Sequence, residues 1–382
     1  MTNPSQRRAP PPVPVTALTG FLGSGKTTLL NRLLGDPALA DTVVLINEFG
    51  EVGLDHLLVE KVDGDMMLMS SGCLCCTIRG DLVNALEDLL RRLDNGRIKP
   101  FRRVVIETTG LADPAPVLHA IMGHPYLALR YRLDGVVTTV DAVNGLATLD
   151  RHKEAARQVA VADRIVITKT DLLPSGSLSD GLIRRLADLN PGAPRYDAAR
   201  GEADAASLLQ AGLFDPARKI PDVARWLAAE AHASHDHAGH DHGHVHHHAN
   251  DPNRHDSSIA AFCLTRDRPL APKGFDIFLE LLRQVHGAKL LRLKGIVALA
   301  DDPDRPVVVH GVQHLFHPAV RLDGWPDADH RTRLVFILDG LDRKPIEDLF
   351  AAALAEARPD TPDAAALSDN PLAPGAAGLL AR

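Results

Sequence analysis

The sequence is poor in the features that mark secreted, membrane-spanning and nucleic-acid-binding proteins. Its 382 residues include only four cysteines, which is too few for a disulfide scaffold. No apolar run reaches the roughly 18 residues that a membrane-spanning helix needs, and the Pro-rich first residues contain no hydrophobic signal region. The formal net charge of -7 leaves no excess of basic side chains for nucleic acid or anionic lipid. We therefore expect a cytoplasmic protein with neither of these partners.

What remains is the composition of a folded protein with more than one domain. Hydrophobic residues make up 45% of the chain and charged residues 24%, close to the averages of globular proteins, and 382 residues exceed one ordinary core. We predict five regions: a flexible tail (1–12), a larger domain (13–225), a histidine-rich linker (226–256), a smaller domain (257–357) and a disordered tail (358–382).

Short apolar runs alternate with helical patterns in the larger domain. The runs, each of which predicts a strand, cover residues 15–18, 43–46, 66–69, 104–106, 136–140 and 165–167. Between two of them, Leu82, Leu86 and Leu89 recur at helical spacing. Strands that are buried on both faces and separated by helices predict an α/β fold with a mainly parallel sheet.

The smaller domain has a different pattern. Its candidate strands cover residues 258–264, 290–300, 307–316 and 333–338, and its helical patterns cover 274–285 and 344–355. Strands and helices that are not in strict alternation predict an α+β fold.

Residues 20–27, GFLGSGKT, fit the phosphate-loop pattern GxxxxGK[ST] at every fixed position, between a predicted strand and a predicted helix. Backbone N–H groups in such a loop surround phosphate oxygens, at the positive end of a helix. We expect Gly23, Ser24 and Gly25 to bind phosphate, Lys26 to lie along the β and γ phosphates, Thr27 to bind Mg²⁺ and Thr28 to reach the α phosphate. The larger domain is thus predicted to be a P-loop nucleotide-binding domain, a class that includes GTPases, ATPases and kinases.

The segment from Thr168 to Asp171 favours guanine over adenine. The Asp171 carboxylate can accept hydrogen bonds from N1–H and the exocyclic amine of guanine, and the stem of Lys169 would cover the base. The segment is similar to the NKxD motif of GTPases, with Thr168 in place of the usual Asn.

A second strand ends in the sequence ETTG. We expect Glu107 to act on Mg²⁺ through a water molecule and the Gly110 amide to contact the γ phosphate, so that loss of this phosphate releases the loop.

Three cysteines within four positions, Cys73, Cys75 and Cys76, suggest a metal site, because thiolates bind soft and borderline ions. They do not complete a tetrahedral site, and the segment after the second strand offers further candidates. Glu48 and Glu51 are candidate ligands, and Asp55 is a candidate for placing Mg²⁺ or the attacking water. The alternative is that the cysteines are buried apolar residues.

Five segments in this order, GFLGSGKTTLL, NEFGEVGLD, GCLCC, VIETTG and TKTD, resemble the CobW family of GTP-dependent metallochaperones, relatives of the urease and hydrogenase maturation GTPases. The resemblance covers residues 13–355. It implies that GTP hydrolysis drives the binding and transfer of zinc or cobalt, that the clustered cysteines are metal ligands, and that the smaller domain helps to choose the client protein. Some relatives carry an acidic residue before the Asn of NEFG; here that position is Ile46, so one carboxylate ligand is missing.

The sequence thus favours a GTPase that uses GTP and magnesium, with Lys26, Glu107 and Asp55 as catalytic candidates, and that passes a metal ion, zinc in the first place, to a client protein. A homodimer is a further candidate assembly. The alternatives are a cobalt chaperone for cobalamin biosynthesis, a metal buffer without productive GTP coupling, and an ATP-using enzyme.

Histidine occupies nine of the seventeen positions of 232–248, either as a metal-capturing arm or as a solvated linker. His310 and His314, four apart on one predicted strand, would share a face and are either a metal site or structural residues.

Overall fold

The computed structural model describes residues 11–47, 58–62, 66–71, 78–174, 177–209 and 258–354. Within these ranges the strands form two separate sheets. The strands of the first sheet are β1 (Val13–Gly20), β2 (Thr42–Asn47), β3 (Leu58–Val62), β4 (Met66–Ser71), β5 (Arg103–Glu107), β6 (Tyr131–Asp141), β7 (Arg164–Thr168) and β8 (Arg195–Asp197). Its helices are α1 (Lys26–Leu34), α2 (Ile78–Asp94), α3 (Ala115–Gly123), α4 (Pro125–Arg130), α5 (Gly145–Arg151), α6 (Lys153–Ala160), α7 (Asp180–Leu189) and α8 (Ala205–Leu208).

The first sheet has the order β3-β4-β2-β5-β1-β6-β7-β8, and every neighbouring pair is parallel except β3 with β4. Each of the six predicted runs lies inside one of its strands, which confirms the mainly parallel α/β fold. The predicted helix is α2, and its leucines Leu82, Leu86 and Leu89 are buried against β5 and α3 in one apolar cluster.

Parallel strands bring their last residues to one edge of a sheet, where ligands of open α/β sheets bind. Here four neighbouring strands end at Glu107 (β5), Gly20 (β1), Asp141 (β6) and Thr168 (β7). The sheet therefore gathers a phosphate-loop glycine, two carboxylates and a hydroxyl from positions far apart in the chain.

The second sheet is built by residues 258–354. Its strands are β9 (Ile259–Arg266), β10 (Leu290–Val297), β11 (Val307–Val312), β12 (Leu315–Phe316), β13 (Val320–Arg321) and β14 (Thr332–Asp339), and its helices are α9 (Pro272–Leu281) and α10 (Arg343–Leu354). The strands pair antiparallel in the order β12-β11-β10-β14-β9, with β13 beside β11. Phe278 of α9 and Phe350 of α10 cover one face, where they contact each other and Phe278 contacts Phe336 of β14. The predicted α+β fold is confirmed.

The predicted strand over 307–316 is wrong, because it is a hairpin of β11 and β12. Val312 pairs with Leu315, which leaves Gln313 and His314 as a two-residue turn, and Gln313 takes the left-handed φ of 52° that tight hairpin turns require. His310 and His314 therefore do not lie on one strand and do not share a strand face.

The two sheets belong to domains that pack against each other. Ile259, Leu291 and Ile337 of the second sheet share an apolar cluster with α6 and α7. The predicted domain limits at 225 and 357 fall outside the described residues and stay predictions. Within the described ranges, no helix combines the length and the apolar character that crossing a membrane requires.

Candidate nucleotide and metal site

The phosphate loop connects β1 to α1, and its backbone depends on glycine. Gly25, directly before the helix, has a φ of 89°, in the left-handed region that L side chains avoid. A Cβ on Gly20 would lie 2.2 Å from Oγ1 of Thr139 on β6. Glycine is thus required at position 20 because the loop lies very close to the neighbouring strand β6.

Lys26 opens α1 and folds back over the loop. Its Nζ donates to the carbonyl oxygens of Gly20 (2.9 Å) and Phe21 (3.2 Å). Burial lowers the pKa of Lys26 from its ordinary value, and the nearby Glu107 carboxylate partly offsets this. The ammonium group is held among carbonyl oxygens, for which the oxygens of a bound phosphate can substitute.

Thr27 and Glu107 form an oxygen pair beside the loop. The Thr27 hydroxyl donates to Oε1 of Glu107 across 2.8 Å, and Glu107 is only 4% exposed at the end of β5. A hydroxyl and a carboxylate in contact are the donor types that Mg²⁺ prefers, so these two residues fit the magnesium that the loop sequence implies. Bound there, Mg²⁺ would neutralise phosphate charge.

The residues after Glu107 are attached to the phosphate loop. Thr108 donates from its backbone N–H to the Leu18 carbonyl (2.9 Å) and from its hydroxyl to that of Thr19 (2.9 Å). A Cβ on Gly110 would lie 2.6 Å from the backbone nitrogen of Leu22, so only glycine allows this approach. Gly110 is therefore next to the loop, where an amide that contacts the γ phosphate is expected.

Thr168 connects the guanine-type segment to the phosphate loop. Its hydroxyl donates to the carbonyl of Ser24 across 2.7 Å, and the Ser24 hydroxyl is 2.6 Å from that of Thr139. A threonine in the place of the usual Asn therefore keeps a side-chain hydrogen bond to the phosphate loop.

Lys169 and Asp171 lie at the turn after β7. Lys169 has a φ of 60°, and its Nζ is 2.8 Å from Oδ2 of Asp141 at the end of β6. Burial alone would raise the pKa of Asp141, but hydrogen bonds from Lys169 and from Asn144 hold the pKa below its ordinary value. Lys169 is thus fixed by a charged partner, while Asp171 is exposed in the 3₁₀ turn Thr170–Leu172 and accessible to a base.

Three further side chains complete the site without being among the predicted residues. Asp141 holds Lys169, and Asp197 at the end of β8 accepts from the hydroxyl of Thr170 across 2.6 Å. Gln158 of α6 donates to the carbonyls of Gly110 and Ala112. Asp141 directly follows the predicted strand 136–140, a signal that the sequence carries, whereas Asp197 ends β8, a strand that the sequence patterns do not predict. Gln158 has no such signal, because a glutamine on an amphipathic helix is typical of a solvated face.

The predicted transition-metal ligands, Glu48, Glu51, Cys73, Cys75 and Cys76, and the catalytic candidate Asp55 lie outside the described residues, as does the histidine-rich run 232–248. The strands that lead into the ligand segments are described. β2 lies between β4 and β5, and Ile46 of β2 is in register with Ser70 of β4 and with Glu107 of β5. Residue 48 therefore follows a strand that ends beside Glu107, and residue 72 follows β4, the next strand along the same edge. Within the described ranges, no three His, Cys, Asp or Glu side chains are grouped to hold a metal.

The histidines of the second domain are arranged for packing. His310 is 6% exposed and stacks on His317, with ring centroids 5.0 Å apart. Burial lowers the pKa of His310 well below its ordinary value, and the adjacent Arg292 lowers it further. His314 lies 3.2 Å from the Arg283 carbonyl through Nδ1. The structural alternative for His310 is therefore the better interpretation.

A phosphate loop at the carboxyl edge of a parallel sheet, an ETTG loop packed on it and a Thr-Lys-Thr-Asp turn beside it define the larger domain as a P-loop GTPase domain. The chain belongs to the CobW/HypB/UreG family: residues 14–197 match its nucleotide-binding domain, and residues 259–354 match the cobalamin synthesis protein cobW C-terminal domain.

Similar proteins match this chain over most of its length or over part of it. The zinc chaperone YjiA of Escherichia coli is 34% identical over 340 residues, which are 89% of this chain and 98% of YjiA. The crystal structure of Zn(II)-bound YjiA GTPase has a TM-score of 0.65 at 32% identity and covers 90% of this chain and 99% of its own. A zinc-regulated GTPase metalloprotein activator of Schizosaccharomyces pombe is 40% identical over 175 residues, 44% of this chain and 41% of that protein.

Proposed function

We propose that this protein is a GTP-dependent zinc metallochaperone, which binds a zinc ion, hydrolyses GTP and transfers the ion to a client protein. The proposal rests on one observation above all: β4, β2 and β5 are neighbours, and they end side by side before the clustered cysteines, the NEFG segment and the ETTG loop. Residues that bind metal and residues that detect the γ phosphate therefore start from one edge of the sheet, next to the Thr27–Glu107 pair.

The described residues supply the nucleotide half of this mechanism. Backbone N–H groups at Gly23, Ser24 and Gly25 and the Lys26 ammonium bind phosphate, and Thr28 serves the α phosphate. Thr27 and Glu107 would hold Mg²⁺. Asp171 reads guanine, Lys169 covers the base, and Thr168 keeps the base-reading turn attached to the loop through Ser24. The Gly110 amide detects the γ phosphate.

The metal half consists of Cys73, Cys75 and Cys76, with Glu48 or Glu51 as further ligands. The ion is passed on to the client protein, so GTP hydrolysis has to lower the affinity of the metal site for it. Loss of the γ phosphate releases the segment around Gly110, and because β5 and β2 are adjacent, this changes the support of the ligand segment after β2. Zinc is favoured over cobalt because thiolate ligands suit it and because the named relatives handle zinc. A cytoplasmic location is part of the proposal, since it keeps the thiols reduced.

The proposal is tested by zinc titration against a chromophoric chelator in the presence of Mg²⁺ with either GDP or a non-hydrolysable GTP analogue. The GTP-analogue form is expected to bind one zinc ion at least about tenfold more tightly, the size of a typical coupling between two sites. The double variant Cys75→Ser, Cys76→Ser should lose this tight binding and keep its nucleotide affinity.

Cys263→Ser is the matched control, because it removes a thiol from β9 in the second domain. The histidine run adds zinc binding that does not depend on the nucleotide, so it cancels between the two forms. Tight, GTP-dependent zinc binding that survives the double cysteine change would overturn the proposed metal site. A wild-type protein without measurable GTP turnover would favour the metal-buffer alternative.

A further inference from the structure

Gln158, in the middle of α6, is a fully buried glutamine whose side chain contacts the loop after Glu107. Its Nε2 donates to the carbonyl oxygen of Gly110 at 3.1 Å and to that of Ala112 at 3.0 Å. The side chain is 0% exposed. One amide group thus holds two peptide groups of the loop whose Gly110 amide is assigned to the γ phosphate.

The orientation of this amide is determined by the loop. Carbonyl oxygens only accept hydrogen bonds, so the NH₂ group must face Gly110 and Ala112. Both donor hydrogens of this amide are thus used by the loop, and a side chain with two donors on one nitrogen is needed to make both contacts. The side chain also borders a cavity of about 210 Å³, so packing alone does not press the amide against the loop.

The helix that carries Gln158 is anchored on three sides. The Thr138 hydroxyl of β6 donates to the Gln158 carbonyl at 2.9 Å. Nδ2 of Asn190 donates to the Val159 carbonyl at 2.8 Å, at the end of the helix. Lys153, the first residue of the helix, and Arg157 pair with Asp339 of the second domain at 3.0 and 2.6 Å. α6 is therefore held at several points, and a side chain that extends from it can position the loop that it contacts.

The loop is held on its other side by the phosphate loop. The space beside Gly110 is filled by the backbone of Leu22, and Glu107 contacts Thr27 of α1. Gly110 lies between this backbone and the amide of Gln158. Small displacements of groups that contact the transferred phosphoryl reduce rates strongly, so a group that fixes Gly110 has kinetic importance.

We propose that Gln158 is a positioning residue for GTP hydrolysis: it holds the carbonyls of Gly110 and Ala112 so that the Gly110 N–H faces the γ phosphate. It acts through the loop and does not touch the nucleotide. This inference rests on the proposed role of Gly110, and it makes the contribution of Gln158 specific to the triphosphate, because GDP offers no γ phosphate to the loop.

The experiment compares Gln158→Met, which keeps the side-chain length and removes the donor, with wild type in the full-length protein. Affinity for a non-hydrolysable GTP analogue and the rate of GTP turnover are each expected to fall about tenfold, the effect of losing hydrogen bonds to a buried group, with GDP affinity unchanged within about twofold. The matched control is Thr138→Val, which removes another hydrogen bond that anchors α6 and leaves the loop contacts intact. Thr138→Val should leave the ratio of GTP-analogue affinity to GDP affinity unchanged.

A pH profile separates positioning from general support of the fold. In Gln158→Glu, an ionised carboxylate would face two carbonyl oxygens, whereas the protonated acid can donate one hydrogen bond to them. Turnover of this variant relative to wild type should therefore recover as the pH is lowered from 8 to about 6. Gln158→Met should show no such recovery.

Equal loss of GDP and GTP-analogue affinity in Gln158→Met, or the same selective loss in Thr138→Val, would overturn the proposal. If Gln158→Met does not fold, Gln158→Asn replaces it, since it keeps the amide and shortens the reach, and the same selective loss is expected. Wild-type turnover is measured first, so a GTPase that is insensitive to Gln158 contradicts this inference alone and leaves the proposed function intact.

Discussion

Thr168 shows how a single residue changes a familiar pattern and keeps its physical role. The sequence places it where GTPases usually have Asn, and the structure shows its hydroxyl donating to the Ser24 carbonyl of the phosphate loop. A hydroxyl and a carboxamide differ in size but both donate a hydrogen bond. The substitution is therefore compatible with a guanine-type turn.

Replacing Thr168 by Val tests this contact. Valine has nearly the same shape but no donor, so the buried Ser24 carbonyl loses its partner, at a cost of about 1–2 kcal/mol, and GTP affinity should fall roughly fivefold to thirtyfold. Isothermal titration with GTP measures the change. Thr168→Ser keeps the hydroxyl and should keep most of the affinity; an unchanged affinity in Thr168→Val would contradict the assigned role.

Asp171 is predicted to decide which base is bound. In Asp171→Asn, the side chain keeps one acceptor for N1–H but presents an NH₂ group to the exocyclic amine of guanine. Xanthine carries an oxygen in place of the exocyclic amine of guanine, and this oxygen can accept a hydrogen bond from the NH₂ group of the Asn side chain. We expect GTP affinity to fall by about 10² and xanthosine triphosphate to become the better ligand. Competition of both nucleotides for a fluorescent analogue measures this preference, and a variant that still prefers GTP would show that Asp171 does not read the base.

At the level of elements, the strands were predictable and the turns were not. Each of the six apolar runs became a strand because burial on both faces requires continuous apolar residues. The sequence patterns do not predict the strand β3. The single strand predicted over 307–316 is wrong, because the chain forms a hairpin there. Gln313 turns the chain in a left-handed conformation for which the sequence offers no glycine or asparagine.

The site was predictable where its residues follow strands, because strand ends meet at one sheet edge. Glu107, Gly110 and Thr168 are predicted from strand ends and Lys26 and Thr27 from the phosphate-loop pattern, and the structure brings the five residues together, while their roles stay predictions. Asp141 carries the same signal. Gln158 does not, since its role depends on how α6 lies across the sheet, and helical periodicity does not specify that position. Hydrogen bonds between distant elements are consequences of packing, so they become visible only with the fold.

The loop from Glu107 to Ala112 should not tolerate a side chain at Gly110. In Gly110→Ala, the new Cβ would lie 2.6 Å from the Leu22 nitrogen and 2.8 Å from its Cα, so one of the two loops has to move. Overpacking of this kind costs about 1–3 kcal/mol, and we expect GTP turnover to fall more than about tenfold. Steady-state phosphate release and thermal unfolding measure both effects. Gly123→Ala, at a position where a Cβ meets no atom within 4 Å, is the control and should change neither.

For the whole molecule, the contact between the two domains centres on a buried charge. Asp163, directly before β7, pairs with Arg292 and, at 3.2 Å, with Lys294, both on β10. Its carboxylate also accepts from the Val136 N–H at 2.9 Å. Burial alone would raise the pKa of Asp163, but the two cations hold the pKa below its ordinary value. The attraction therefore exceeds the cost of burying the carboxylate.

Asp163→Asn should destabilise the protein by about 3 kcal/mol at pH 7, because two cations lose a buried partner. Since the folded pKa is depressed, the wild-type advantage is present above the unfolded pKa near 3.8 and is lost as the pH falls through the folded value. The difference in unfolding free energy between wild type and Asp163→Asn should thus be constant from pH 7 to about 5 and shrink below about 4. Urea unfolding at several pH values measures it.

Asp301→Asn is the control for this series, because Asp301 pairs with Arg321 at the surface, where its side chain is 51% exposed. A loss of less than about 1 kcal/mol is expected. Equal losses of unfolding free energy in Asp163→Asn and Asp301→Asn would show that the buried Asp163 cluster stabilises the protein no more than a surface ion pair does.

The position of Asp163 also limits the exchange of one domain for another during evolution. The strand β7 begins directly after Asp163 and ends at Thr168, five residues beyond Asp163, so the residue that pairs with the second domain and the residue that contacts the phosphate loop lie at opposite ends of one short strand. A recombination event that exchanged the second domain for one without Arg292 and Lys294 would leave a buried carboxylate without its two cations at the edge of the first sheet opposite the nucleotide site. We therefore expect the two domains to be retained as a pair, because the buried carboxylate of one domain depends on the two cations of the other.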